Sequence, residues 1–180
     1  MLKKLIGWAG VLLMAVGMAG AQAQALEKKK LTIAVGGKSL FYYLPLTIAE
    51  RQGFFKDEGL EVEIPDFPGG AKALQALVGG SADMVSGAFE HTINMQAKKQ
   101  PIRAVVLQAS YSSIVLLLPK DKAAKYKSPK DLKGLKIGVS APGSSTNMFV
   151  NNLLAKDGLK PNEVSIVGVG TTAGAFAAME

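Results

Sequence analysis

The chain has 180 residues with no cysteine, one histidine, and 21 basic against 14 acidic residues, a formal net charge of +7. Without cysteine there is neither a disulfide framework nor a cysteine-borne lipid anchor, so the fold must rest on apolar packing. The lysines are interspersed with glutamates and aspartates, and no basic stripe interleaved with aromatics occurs, which speaks against a nucleic-acid partner.

The N-terminus opens with Lys3 and Lys4 and continues in an apolar stretch from Leu5 to Ala19. Small residues follow, and Ala21-Gln22-Ala23 and Ala23-Gln24-Ala25 both offer small-x-small cleavage sites. This is the tripartite pattern of a secretory signal peptide over residues 1–25, and the apolar stretch falls short of the roughly 20 residues a membrane span needs. Cleavage lowers the formal net charge from +7 to +5, because two lysines and no acid leave with the signal. Lys28 to Lys30 read as a solvated arm.

Leu31 to Gly36 reads as a strand and Leu44 to Gln52 as a helix, with Pro45 in its first turn and Gly53 at its stop. Phe54 and Phe55 read as a packing clamp beneath that helix. Strand Glu61 to Ile64, helix Ala71 to Val78, strand Ala82 to Ser86, helix Glu90 to Lys99 and strand Ile102 to Ala109 follow. The β-α-β-α-β-α-β order with short connections predicts right-handed crossovers and a parallel sheet. Ser113 to Leu118 predicts a further strand ended by Pro119, and the charged stretch from Lys120 to Lys136 predicts a crossing between lobes. A second, smaller unit then runs through strand Lys136 to Ser140, helix Ser145 to Lys156 and strand Val164 to Gly170. The last residues, from Thr171, read as a helix cut at its first turns, as in a fragment.

Four apolar runs end in turns that lead into helix-like segments: Val35 to Ser39, Phe67 to Gly70, Val85 to Phe89, and Val139 to Thr146. Helix starts offer free N–H groups and a positive dipole end, and in α/β sheets the ligand crevice lies at the strand carboxyl ends. The same turns are equally what capping chemistry requires. Lone His91 has no second histidine or cysteine at ligand spacing and reads as a surface or capping residue. Asp66, Asp83 and Glu90 are too dispersed to read as an acid/base pair, and neither a phosphate loop nor G-x-G-x-x-G is present.

Pro45-Leu46-x-Ile48-Ala49-x-x-x-Gly53-Phe54-Phe55, Gly59-Leu60-Glu61-Val62, Gly79-Gly80-Ser81-Ala82-Asp83-Met84 and Asp131 to Val139 together resemble the substrate-binding proteins of ABC importers. The resemblance is to the NMT1-like group for nitrate, sulfonates, taurine and thiamine precursors. It implies an α/β fold of the type II periplasmic-binding-protein kind, with two lobes, a ligand cleft between them, and a longer chain of about 300 residues. The implied division is a first lobe over residues 26–112, a crossing segment over 113–136, and a partial second lobe over 137–180. The family position of the turns implies ligand contacts from Phe41, Tyr42, Gly69, Gly70, Ser86, Gly87, Glu90 and Ser110, and from Ser144, Ser145, Thr146 and Asn147 in the second lobe. Hydroxyls and N–H groups would hold an oxyanion, and the aromatics would wall an organic tail.

The resulting expectation is a monomeric periplasmic solute-binding component that delivers a small anion, sulfonate or thiamine precursor to a membrane permease coupled to an ATPase. It expects no metal, no cofactor and no reaction. Two rivals accompany it. One is a ligand-sensing domain of a membrane receptor. The other is an enzyme resembling the pyrimidine synthases of thiamine biosynthesis, set against the export signal and the missing cysteines.

Overall fold

Local signals account for most of the elements in the computed structural model, which describes residues 26–179. The segment read as a signal peptide lies outside the described residues. Leu44–Gln52 forms helix α1 with Pro45 in the first turn, where no N–H is missed, and Gly53 closes it at φ 82°. A short helix, α2, spans Phe54–Asp57. Strand β1 covers Lys30–Ala34 and β2 covers Glu61–Glu63. Helix α3 spans Gly70–Val78, β3 Met84–Val85, and α4 Glu90–Ala97. The three strands form a parallel sheet in the order β2-β1-β3.

Two small cores flank this sheet. Ile33, Val35, Tyr43 and Leu46 pack together on one side, with Phe55 against them. Alanines 34, 73, 76 and 82 pack on the other, where their small side chains let α3 lie close to β1. Only one of the two expected clamp aromatics joins the core, since Phe54 is 53% exposed. Asp83 ties the ends of the unit together by accepting from Lys28 Nζ and from Thr32 N–H, and these contacts hold its carboxyl below the usual range.

The second unit begins within the charged stretch. Helix α5 covers Lys120–Ala123, and a 3₁₀ turn at Pro129–Leu132 is fixed by a capping box between Ser128 and Asp131. Strand β4, Lys136–Val139, pairs in parallel with β5, Ser165–Gly168, and α6 spans Ser145–Lys156 between them. A final short helix, α7, covers Ala173–Ala177. Leu132, Ile137, Val139, Val150 and Leu154 form the core, so the stretch read as a crossing segment contributes a core residue in Leu132.

The strands expected at Ile102 to Ala109 and Ser113 to Leu118 do not form, because no segment among the described residues pairs with them. The second keeps a strand's period all the same: Leu116 and Leu118 pack on the second core, while Val115 and Leu117 are exposed. In the first, Val105, Val106 and Leu107 are all more than 70% exposed. Burial of such a run in a parallel sheet requires neighbours that cover it.

Candidate functional site

The carboxyl ends of β1, β3 and β4 converge on a cavity of about 410 Å³. The turn after β1 supplies Gly36, Leu40, Phe41, Tyr42 and Tyr43, and the starts of α3 and α4 supply Gly70, Ala88 and His91. Ser113, Ile114 and Val115 line a further side, and the second unit brings Ser140, Ser145, Thr146 and Thr171. A smaller cavity of about 240 Å³ opens elsewhere on the first unit, lined by Lys30, Glu50, Phe55 and Glu63 among others.

The β1 turn is held rigidly. Asp66 Oδ1 accepts from the N–H groups of Gly37 and Lys38 at 2.7 and 2.8 Å, and Gly37 takes φ 102°. The Tyr43 hydroxyl accepts from Gly36 N–H at 3.2 Å, and burial pushes that phenol up to about 12. Tyr42 packs edge-on against Tyr43, with ring centroids 5.0 Å apart. Its own phenol is raised by burial and by the nearby Glu90 carboxylate. Phe41, 89% exposed, completes an aromatic wall with an open side.

In the second unit, Thr146 Oγ1 accepts from Ser140 N–H at 3.0 Å, and Asn147 Oδ1 accepts from Gly143 N–H at 2.9 Å. The two units meet where Ser144 Oγ accepts from Ala71 N–H at 2.9 Å. Gly69, at φ 122°, lies against the Ser140–Ala141 backbone; a side chain there would sit 3.2 Å from Ala141 N.

Of the residues expected at the ligand, Phe41, Tyr42, Gly70, Ser145 and Thr146 line the cavity. The others lie elsewhere. Ser86 is buried and donates to Gln108 Oε1 at 3.1 Å, Gly87 borders the His91 ring, and Ser110 is exposed. Glu90 is buried beside His91, Gly69 sits at the junction of the units, Ser144 bridges to Ala71, and Asn147 fastens its own turn.

His91 corrects the reading of a surface or capping histidine. It is 3% exposed and lines the cavity, and among the described residues its Nε2 has no hydrogen-bond partner, as is also true of Glu90 Oε1. Its place one step into the helix after the third strand was the available signal, and metal-type spacing carries no trace of it. Burial lowers the His91 pKa from its ordinary 6.5, with Glu90 pulling the other way. The unfolded chain therefore takes up a proton that the folded protein resists, and stability is lost as pH falls through 6.5. Urea midpoints of the parent should drop more steeply than those of His91→Gln between about pH 8 and about pH 5. Parallel slopes would remove His91 as the cause.

Two α/β units around a cavity at their strand ends, with helix starts pointing in, make the fold of a type II periplasmic binding protein. The chain belongs to the NMT1/THI5-like family, whose model matches residues 40–180. A solved structure from Bordetella bronchiseptica RB50 is 64% identical, with a TM-score of 0.83 over 86% of this chain and 49% of that one. The alkanesulfonate-binding protein SsuA from Xanthomonas axonopodis pv. citri, solved with MOPS, is 24% identical, with a TM-score of 0.57 over 86% of this chain and 52% of that one. A Schizosaccharomyces pombe protein named 4-amino-5-hydroxymethyl-2-methylpyrimidine phosphate synthase is 27% identical over 148 residues, 81% of this chain and 41% of the relative. The chain thus spans about half the length of the solved structures, and less than half that of this curated relative.

The synthase kinship corrects one expectation. The sequence was read as carrying no enzymatic activity, and the family match extends to a protein named as an enzyme.

Proposed function

We propose that this chain is an extracytoplasmic solute-binding component of an ABC importer that captures a small anion or sulfonate-like organic molecule by closure of its two units. The observation that carries this reading is the cavity of about 410 Å³ itself, walled by Phe41 and Tyr42 and reached by the first turns of α3 and α6. Among the described residues, the Ser145 and Thr146 N–H groups have no acceptor, and both residues line the cavity. An anionic head group at that helix start would complete their bonding and meet the positive dipole end. The organic body would lie on the Phe41 and Tyr42 rings.

In this reading, residues 26–112 and 137–180 are the two lobes and 113–136 the crossing segment. The signal-like start directs export to the periplasm, and a membrane permease receives the ligand from a monomeric carrier. The MOPS complex of the Xanthomonas protein suggests the probe. Calorimetric titration with MOPS and short alkanesulfonates should give saturable one-to-one binding, weakened about tenfold or more in Tyr42→Ala through loss of the stacked wall. No heat with any sulfonate would remove this ligand class.

A second reading follows from His91, a buried imidazole on the cavity wall whose Nε2 has no partner among the described residues, together with the pyrimidine phosphate synthase kinship. It takes a pyrimidine as ligand or substrate. Titration with an aminopyrimidine phosphate separates the two readings.

A further inference from the structure

Ser144 stands at the N-cap of α6 in extended conformation, φ −80° and ψ 167°, yet makes no side-chain cap to its own helix. A serine there ordinarily accepts from an N–H two or three residues on. Instead its hydroxyl, in a residue 1% exposed, accepts at 2.9 Å from Ala71 N–H, 73 positions away in the other unit. Ala71 lies in the first turn of α3, whose next N–H groups, on Lys72 and Ala73, are taken by Gly69 C=O. One hydroxyl therefore serves a helix start in the neighbouring unit while its own helix start stays uncapped.

We propose that Ser144 is the latch of the cleft. With the units together, its hydroxyl caps α3 across the cleft. With the units apart, it turns back to cap α6. The exchange trades one neutral hydrogen bond for another, so the two arrangements stay close in free energy and a ligand of moderate affinity can shift them. The contact surface fits this role. Gly69 meets the Ser140–Ala141 backbone, and a side chain on Gly143 would meet only Ala71 Cβ, at 3.9 Å, so small groups let the two turns approach closely. The latch rests on the two-unit closure of the proposed function, but it acts without ligand and is tested without one.

The absence of cysteine allows clean labelling. Gln52→Cys and Lys156→Cys put a spin label on an exposed helix position in each unit, and pulsed dipolar spectroscopy reads the separation. Ser144→Gly removes the acceptor while leaving glycine, itself a fair N-cap, at the start of α6. Ala71→Pro removes the donor at a first-turn position that tolerates proline. Each change should cut the short-distance population of the ligand-free chain roughly fivefold, the worth of one hydrogen bond. The double variant should match the single ones, because both remove the same bond.

A helix that merely lost packing would not produce that non-additivity. The latch is overturned if either variant's distance distribution superimposes on the parent's, if the double variant shows the product of the two effects, or if the parent has no short-distance component. Loss of MOPS binding with the distances behaving as described would remove the ligand assignment and leave the latch standing.

Discussion

Gly36→Ala should destabilise the chain by about 3 kcal/mol or more and abolish ligand binding. A methyl group at this position would sit 2.3 Å from both Gly69 C and Gly70 N and 2.7 Å from Gly69 O. These are backbone atoms, so no side-chain rotation relieves the clash. Moving them displaces the start of α3, where Gly70 lines the cavity and Ala71 holds Ser144. Gly36 N–H also donates to the buried Tyr43 hydroxyl, and a shift strands both groups. Urea denaturation measures the loss, and a midpoint within experimental scatter of the parent's would show that the two turns separate freely. Gly53→Ala provides the contrast. It has open space around it but sits at φ 82°, so it carries only the cost of a left-handed conformation, about 1–2 kcal/mol.

Leu154→Ala should cost about 2–5 kcal/mol, the range for emptying a buried leucine site. Leu154 is 0% exposed and packs with Leu132, Ile137, Val139 and Val150. Among the described residues the second unit has two strands and one long helix, so little else offsets the cavity. Amide hydrogen exchange should show protection collapsing at Ile137 and Val139 while Ile33 and Val35 change less. Uniform loss in both units would show instead that they unfold as one.

What the sequence revealed was local. Pro45 and Gly53 bracket a helix whose bounds agree with the structure, and Ser145 to Lys156 is a helix in both. The strand starts were legible from β-favouring runs, and the order of four motifs, from Pro45–Phe55 through Gly59–Val62 and Gly79–Met84 to Asp131–Val139, led to the family. Features made by chain crossings were not legible. Nothing near Gly36 in the sequence announces that Gly69 will cross it, and a serine at a helix start reads as a cap for its own helix, not for one 73 positions away. His91 was misread because burial is decided by what packs over a residue, here the start of α3 at Gly70. The two missing strands failed for a related reason: propensity supplies the extended form, but only a partner supplies the ladder. The expectation of no catalysis rested on the export signal and the absent cysteines, which say nothing about the kinship of the remaining residues.

The unpaired stretch at Val105, Val106 and Leu107 has a consequence for handling the protein. Consecutive β-favouring apolar residues with no strand partner among the described residues and no proline between them form a template on which another chain can add a strand. Arg103 on one side and Gln108 on the other are the nearest polar gatekeepers, and a single positive charge supplies weak repulsion. Light scattering should therefore show that concentration, and not temperature alone, sets how long the purified chain stays dispersed, and that salt screening Arg103 shortens that time.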